Sequence, residues 1–449
     1  MPLAADTLLG QRTVFEYSTV ELGMWSAAEQ KEILGAVEHL SRPGGQEAIK
    51  LVVQAGQVAL QATQFVGLFQ LGPLRLQVLP KMHRQTASTG EAQQQAMQNL
   101  FFMLRYVLDL PIHTAQATQL EVGTDWFEAL TTLFTESLLA EWQRGPVRRY
   151  ESVQDDLTTI RGRLRVQDHL RRPALQHLLP VEFDEFTTDT RLNRLFRFVV
   201  ARLVGLSRST RNLDNLRTLA AWMDEDGVPL LAAVDVAEVL RLRLDRLHTR
   251  YELPLALAQL FVQDAGLNAH TGEQQAQSLF FDMNTLFEAF LTDVLLQHRD
   301  EILPDALRSA RIVVQGEGHS RALLIRKSTG KGTLHMKPDV LLSLSGQVPV
   351  IVDFKYKLLK PGEARAGVAR EDLYQMFAYA QRYNCPEVVL VYPSVPQVDT
   401  STLRYRVPDD GGTSAQLRAA MVNLHHDFSL EGVQSVVAGL RQAFHGGQA

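Results

Sequence analysis

Lys337-Pro338-Asp339-Val340 is followed, fourteen residues on from Asp339, by Asp353-Phe354-Lys355. Apolar runs abut both acids: Val340–Leu344 after the first and Val348–Val352 before the second. Ser345-Gly346-Gln347 between the runs reads as a turn, so the pattern predicts a hairpin of Val340–Leu344 and Val348–Asp353. Asp339 then stands at the mouth of the first strand and Asp353 at the end of the second. Strand side chains alternate, which would place Asp353, Lys355 and Lys357 on one face and Phe354 and Tyr356 on the other. Two acids closing apolar strands repel each other unless a cation sits between them. Mg²⁺ suits that place, because it takes oxygen ligands and binds through one or two carboxylates plus water and substrate phosphate. The chemistry such a set would serve is phosphodiester hydrolysis. A metal on Asp339 and Asp353 would polarise the phosphate and activate a water, and Lys355 would orient or deprotonate that water or stabilise developing charge. Spacing does not choose among those roles. The plain alternative is two surface acids beside a lysine. It sits poorly with the apolar run before Asp353, since a buried strand that ends in charges needs compensation.

Flanking elements must hold this hairpin. Asn284–His298 has the amphipathic pattern of a helix and carries Glu288 within Leu286-Phe287-Glu288-Ala289-Phe290. Glu288 would serve as a boundary salt-bridge residue or reach the metal's water shell. Glu371–Tyr383 reads as a second helix, on which Gln375 and Tyr379, four apart, share a face. They would form a hydrogen-bonded pair at the helix edge or support the acids. Strands are expected at Ala310–Gly316, Ala322–Arg326 and Glu387–Tyr392. Together these elements predict a compact α/β unit over residues 276–449.

The remainder predicts an α+β, multidomain chain. Residues 1–95 read as a β-rich N-terminal domain, with alternation at Val58–Ala62 and Leu74–Val78 and a Gly72-Pro73 turn. Thr86–Glu91 reads as a polar loop. Residues 96–275 read as a mostly helical middle region: Met97, Leu100, Phe101, Leu104 and Leu108 fall on one helix face, and Trp126–Trp142 forms another helix. Thr187-Thr188-Asp189-Thr190 supplies an N-cap cluster for a helix Arg191–Leu206, and Thr158–Val166 reads as a short strand pair. A Gly/His/Gln-rich connection, Gly266–Gln277, leads into the α/β unit.

Composition narrows the function classes. A net charge of −5 argues against a general DNA-coating role. From Arg144 to Arg250 there are 19 Arg and no Lys against 15 Asp plus Glu, a local excess of +4 that would serve phosphate or neighbouring carboxylates equally. The one cysteine, Cys385, excludes a disulfide within the chain and any Cys-cluster zinc site. Met1–Gln11 lacks the basic and apolar regions of a signal peptide, and Leu51–Leu74 is too interrupted for a membrane span, so a cytoplasmic protein with no membrane partner is expected. No Gly-x-x-x-x-Gly-Lys-[Ser/Thr] loop is present, so this chain is not itself a P-loop motor.

Met283–Glu288, Lys337–Asp339, Val352–Lys357 and Asp372–Tyr379 resemble the successive blocks of McrC, the nuclease subunit of McrBC-type, modification-dependent (type IV) restriction systems. Ile160–Leu164, Asp189–Arg194 and Leu79-Pro80-Lys81 resemble that family upstream, and the likeness is strongest from Asn284 to Tyr379. Phe354 stands where family blocks often have Ala. The resemblance implies a restriction-endonuclease-like domain of the PD-(D/E)xK type, with Asp339, Asp353 and Lys355 at the catalytic positions and Mg²⁺ on the two aspartates. Glu288, Gln375, Tyr379 and Lys357 would support them. It also implies an AAA+ GTPase partner, the McrB-like subunit, which forms hexameric rings, reads methylated cytosine and translocates double-stranded DNA. The N-terminal and middle parts of this chain would dock on that ring and stimulate its nucleotide hydrolysis. No partner-binding residue is assigned; the Arg-rich middle is the place to seek the stimulating group.

Two other readings stand beside this one. A stand-alone defence or repair nuclease of the RecB kind would share the core, but its clustered versions need several cysteines for iron and sulfur. A non-enzymatic adaptor of an AAA+ motor would need no metal, and its motif would be free to lose Asp339, Asp353 or Lys355.

Overall fold

The computed structural model describes residues 10–38, 40, 46–54, 56–83, 89–107, 126–172, 177–265, 278–395, 398, 403–407, 414–424 and 430–445. The chain divides into two compact units out of chain order: Met1–Gly123 with Phe280–Ala449 in one, Thr124–Leu279 in the other.

The first unit opens with β1 (Gln11–Phe15), β2 (Thr19–Glu21), α1 (Ala27–Glu38) and then β3 (Ile49–Gln54), β4 (Gln57–Ala62), β5 (Phe65–Leu71) and β6 (Leu74–Leu79), followed by α2 (Thr89–Val107). β2, β4 and β3 form an antiparallel sheet, and β6 sits between β1 and β5 in another. β5 and β6 are almost wholly buried on both faces, which explains their near-continuous apolar sequence. Gly72 turns between them at φ 56, a left-handed conformation that glycine adopts without a Cβ penalty. The loop expected at Thr86–Glu91 lies outside the described residues up to Ser88, and Thr89–Glu91 already belong to α2.

The second unit contains α3 (Trp126–Gln143), β7 (Arg149–Leu157), β8 (Arg163–Leu164), α4 (Val166–Leu170), β9 (Leu179–Thr187), α5 (Arg191–Leu206), α6 (Thr210–Glu225), α7 (Val236–Arg241) and α8 (Glu252–Ala265). α5 starts where its cap predicts, with the Thr190 side chain accepting the Asn193 N–H. The mostly helical expectation misses a sheet, β7-β9-β8, whose two long strands pair antiparallel along nine residues each. Of the strand pair expected over Thr158–Val166, only Arg163–Leu164 is strand, and Val166 starts α4. β7, Arg-Tyr-Glu-Ser-Val-Gln-Asp-Asp-Leu, is exposed along most of its length, so it has no apolar alternation to betray it. Cross-strand contacts hold it instead, including Tyr150 on Phe186 at 4.8 Å between ring centroids. The connection Gly266–Gln277 lies outside the described residues.

On return to the first unit the chain forms β10 (Leu279–Asp282), which joins β5 as the outer strand of the N-terminal sheet, then α9 (Met283–Gln297) and α10 (Arg299–Ile302). Asp282 caps α9 by accepting the Asn284 N–H. Next come β11 (Arg311–Val314), β12 (Arg321–Ile325), β13 (Gly332–Met336), β14 (Val340–Leu344), β15 (Gln347–Phe354), α11 (Arg370–Tyr383), β16 (Glu387–Pro393), β17 (Arg404–Arg406), β18 (Gln416–Val422) and α12 (Leu430–His445). Six of these strands form one mixed sheet in the order β11-β14-β15-β16-β18-β17. β11, β14 and β15 run antiparallel, while β15, β16 and β18 run parallel, with α11 crossing over between β15 and β16. Met376, Tyr379, Ala380 and Tyr383 of α11 share a core with Leu341, Ile351, Val388 and Leu390. The alternate residues Val350, Val352, Val389 and Val391 are equally buried, so both sheet faces are covered, as parallel strands require. β12 and β13 form a separate two-stranded hairpin. No helix among the described residues is long and apolar enough to cross a membrane.

Candidate active site

The β14–β15 hairpin brings the two aspartates together. Val340 pairs with Val352, so one register step further Asp339 faces Asp353 on the same side of the sheet. Asp339 Oδ2 accepts the Phe354 N–H at 2.7 Å, which pins this carboxylate across the end of β15. Asp353 is 1% exposed. Its Oδ1 accepts a hydrogen bond from Gln375 Nε2 at 3.3 Å, and the Lys355 ammonium lies 2.6 Å from its Oδ2. Beyond that ion pair no directed donor reaches Oδ2, an unusual condition for a buried carboxylate oxygen.

Charge crowding follows from the geometry. Burial, then the charges of Asp353 and Glu288, push the Asp339 carboxyl up to about 8. Burial also raises Asp353, against the pull of Lys355. Burial opposes the charged form of Lys355, but the charge and hydrogen bond of Asp353, with the charges of Asp339 and Asp372, together outweigh it and raise its pKa. Two acids so destabilised as anions are a site in want of positive charge. Asp339 and Asp353 are the residues that could hold a hard cation, Asp353 through an Oδ2 that only the Lys355 ammonium approaches. Among the described residues no group of three or more His, Cys, Asp or Glu forms a cage. A cation here would complete its shell with water and substrate oxygens.

The surrounding residues divide. Gln375 and Tyr379 lie as their helical spacing predicts: Gln375 Nε2 donates both to Asp353 and to Tyr379 Oη (2.8 Å), and Tyr379 Oη donates to the Lys337 carbonyl at 3.4 Å. α11 thus fixes one oxygen of Asp353 and the chain entering Asp339. Glu288 is half-buried on α9 and accepts from Gln315 Nε2 at 3.0 Å, close enough to raise both aspartates by its charge. Lys357 is not brought to the aspartates. β15 ends at Phe354, the Lys357 N–H bonds the Lys355 carbonyl at 2.7 Å, and the Lys357 ammonium bridges both oxygens of Asp372 at 2.9 Å. Alternation cannot be extended past the end of a strand.

Sequence reasoning missed Asp372 and a second buried cluster. Asp372, 4% exposed in the first turn of α11, also accepts from Tyr392 Oη at 3.3 Å and raises Asp353 by its charge. Its sequence signals were an acid in a helix's first turn and its place at the head of the Asp372–Tyr379 block, and neither marked it as part of the site. The second cluster joins the N-terminal strands to the lysine segment. Glu16, fully buried, accepts from Tyr356 Oη at 3.0 Å and from the Lys81 N–H at 2.9 Å. The Lys81 ammonium donates to the Tyr356 carbonyl at 3.0 Å and lies over the Tyr356 ring. Tyr356, between the two lysines, is therefore clamped from the N-terminal side. Lys81 was visible as the end of Leu79-Pro80-Lys81; nothing near Glu16 marked it.

Comparison with known proteins agrees with this architecture. Residues 60–393 match the family model of the McrBC 5-methylcytosine restriction system component. The fold is similar to a refined half-complex from a tetradecameric assembly of Thermococcus gammatolerans McrB AAA+ hexamers with bound McrC: TM-score 0.68 and 19% identity, covering 96% of this chain and 99% of that one. It is also similar to a chain of the Thermococcus gammatolerans McrBC complex seen by cryo-electron microscopy, with TM-score 0.50 and 22% identity over 64% of this chain and 88% of that one. No curated protein sequence matches. The family model spans well over half of the sequence, and the chain belongs to the McrBC 5-methylcytosine restriction system component family.

Proposed function

We propose that this chain is the endonuclease subunit of a McrBC-type restriction system, cutting double-stranded DNA by Mg²⁺-dependent phosphodiester hydrolysis with a core of the PD-(D/E)xK type. The observation that carries the reading is the facing pair Asp339 and Asp353, each driven above the usual carboxylate range, with Lys355 2.6 Å from Asp353 Oδ2, an oxygen no other side chain satisfies. Asp339 and Asp353 hold Mg²⁺. Bound there, the ion supplies Lewis-acid polarisation of the scissile phosphate and a lowered pKa for the attacking water. Lys355 supplies positive charge beside Asp353, where it stabilises the negative charge developing on the phosphoryl oxygens. Gln375, with Tyr379 behind it, orients Asp353, and Glu288 adds an acid on the α9 side.

The working partner is a McrB-like AAA+ GTPase that selects methylated DNA and forms a hexameric ring. McrB AAA+ hexamers with bound McrC in the similar structure support this, as does the lack of a phosphate-binding loop in this sequence. In this reading the N-terminal strands and the second unit dock on the partner and stimulate its hydrolysis. The test combines the purified chain, its AAA+ partner, GTP, Mg²⁺ and methylated plasmid, and reads cutting and nucleotide hydrolysis for wild type and Asp353→Ala. The expected outcome is cutting by wild type alone, with hydrolysis stimulated by both. Equal cutting would show that the site is misassigned. Stimulation by both with cutting by neither would make the chain an adaptor.

A further inference from the structure

The β12–β13 hairpin sits between Gly316 and the Lys337-Pro338-Asp339 segment, and folding gives no account of its surface. From Gly318 to Lys337 there are two Arg and three Lys and no Asp or Glu, in a chain whose net charge is −5. Arg326, Lys327 and Lys331 crowd the turn, which is closed by bonds from Gly330 N–H to Arg326 O (2.8 Å) and Arg326 N–H to Lys331 O (2.9 Å). All three, with Ser328 and Thr329, are exposed. So are large aliphatic side chains that a core would be expected to claim: Leu324 is 55%, Ile325 64% and Leu334 66% exposed. Leu334 is held at φ 55, where the pairing with Leu323 lapses. A left-handed leucine costs about 1–2 kcal/mol and here gains no burial in return.

The base of the hairpin, by contrast, is tied to the helix that supports the aspartates. Arg321 N–H donates to Tyr383 Oη (3.2 Å), Tyr383 Oη to the Met336 carbonyl (3.1 Å) and Arg382 Nε to the Ala322 carbonyl (2.8 Å). Tyr379, on the same helix, bonds the Lys337 carbonyl and the side chain of Gln375. The arm therefore ends three residues before Asp339, on a firm root and with a bare, positively charged end. Five-residue strands reach about 17 Å, and a duplex offers a phosphate charge about every 1.7 Å.

We propose that β12–β13 is a DNA-gripping arm. Arg326, Lys327 and Lys331 close on the phosphates flanking the scissile bond, and the exposed aliphatic residues lie against the sugar-lined wall of the minor groove, where apolar side chains are tolerated and can wedge. This rests on the nuclease reading. Charge favours DNA over a protein partner as the occupant: the arm carries cations without a single acid, and its root adjoins the chain that enters Asp339.

The test measures binding of the full chain to a short fluorescent duplex in EDTA across a salt series, for wild type, Lys327→Glu/Lys331→Glu and Leu324→Ser/Ile325→Ser. Cutting and hydrolysis are then measured with the AAA+ partner and Mg²⁺. Charge reversal at the tip is expected to weaken binding roughly tenfold or more, and to lower the slope of log affinity against log salt by about 2, one unit per lost phosphate contact. The aliphatic pair is expected to weaken binding with the slope unchanged. Wild-type binding by both variants overturns the proposal, as does a wild type that shows no salt-dependent affinity for the duplex. Intact DNA binding with lost stimulation of the partner's hydrolysis overturns it too, and makes the arm a protein dock. Loss of the nuclease reading is separable: it would appear as hairpin-dependent DNA binding by a wild type that cuts nothing.

Discussion

Glu128 in the second unit and Asp353 in the first are both buried acids, and the protein treats them in opposite ways. Glu128, on α3, receives Ser207 Oγ at 2.7 Å, the Arg208 N–H at 2.6 Å and Asn212 Nδ2 at 2.8 Å, and Asn212 Nδ2 also reaches its carbonyl. Each donor comes from the α5–α6 connection or the start of α6, so the carboxylate ties that corner to α3. Asp353 receives one long bond from Gln375, and one oxygen is left to a lysine and to whatever enters the site. A buried carboxylate saturated by fixed donors is an element of structure. One held short of saturation, beside a second acid, is left at a cost that a bound cation would relieve. Burial alone does not tell the two apart; the donor inventory does.

The contrast can be broken by substitution. The largest effect is expected for Asp353→Asn: cutting with the partner falls by roughly 10³-fold or more, while the melting temperature in EDTA stays level or rises, because a repelling charge is gone. A marked drop in stability would mean that Asp353 is structural after all. Glu128→Ala should invert the pattern. Stability falls by about 2–4 kcal/mol as several buried donors lose their acceptor, read as a lower urea midpoint, and the folded fraction cuts at the wild-type rate.

Glu16 lies between those extremes and is sharpened by pH. Burial, against Lys81, holds its carboxyl at about 7 instead of 4.5. Between those values the folded protein keeps a proton that the unfolded chain has lost, so the contribution is fully present below pH 4.5 and declines as pH rises through 7. Glu16→Gln, which keeps a neutral acceptor for Tyr356, should remove that decline. The stability difference between variant and wild type, from urea titrations at pH 5 and pH 8, is expected to change by about 2–3 kcal/mol in the variant's favour; no change would place the ionised carboxylate comfortably in its cluster. The smallest effect is expected at Lys357. Its ammonium serves Asp372 and not Asp353, so Lys357→Ala should reduce cutting less than about tenfold, against a loss of roughly 10²–10⁴-fold for Lys355→Ala. Equal losses would make both lysines members of one site.

How far the sequence reached depended on where information was local. α9, β14, β15, α11 and β16 lie within a residue or two of their expected bounds, since long apolar runs and turn residues mark them. The meeting of Asp339 with Asp353 follows from one hairpin register and was legible for that reason. β7 was not, because its partner supplies what its own side chains lack. Lys357 went astray where strand geometry stopped. The Glu16–Tyr356 bond spans 340 positions, and no periodicity carries information that far. The pairing of β5 with β10, which makes one unit from two distant stretches, is hidden for the same reason.

That pairing also imposes an order on synthesis. β5 is complete at Leu71, yet the strand beside it starts at Leu279 and brings Phe280, which stacks on Phe69 at 4.8 Å. At ~5–20 residues per second the ~200 residues between them take roughly 10–40 s to add. For that interval the nascent chain presents an unmatched strand edge, a standing invitation to wrong partners that a chaperone or a fast-folding middle must answer. Both aspartates emerge later still. A chain released anywhere before Asp339 lacks all of Asp339, Asp353 and Lys355, so under the proposed function it could not cut.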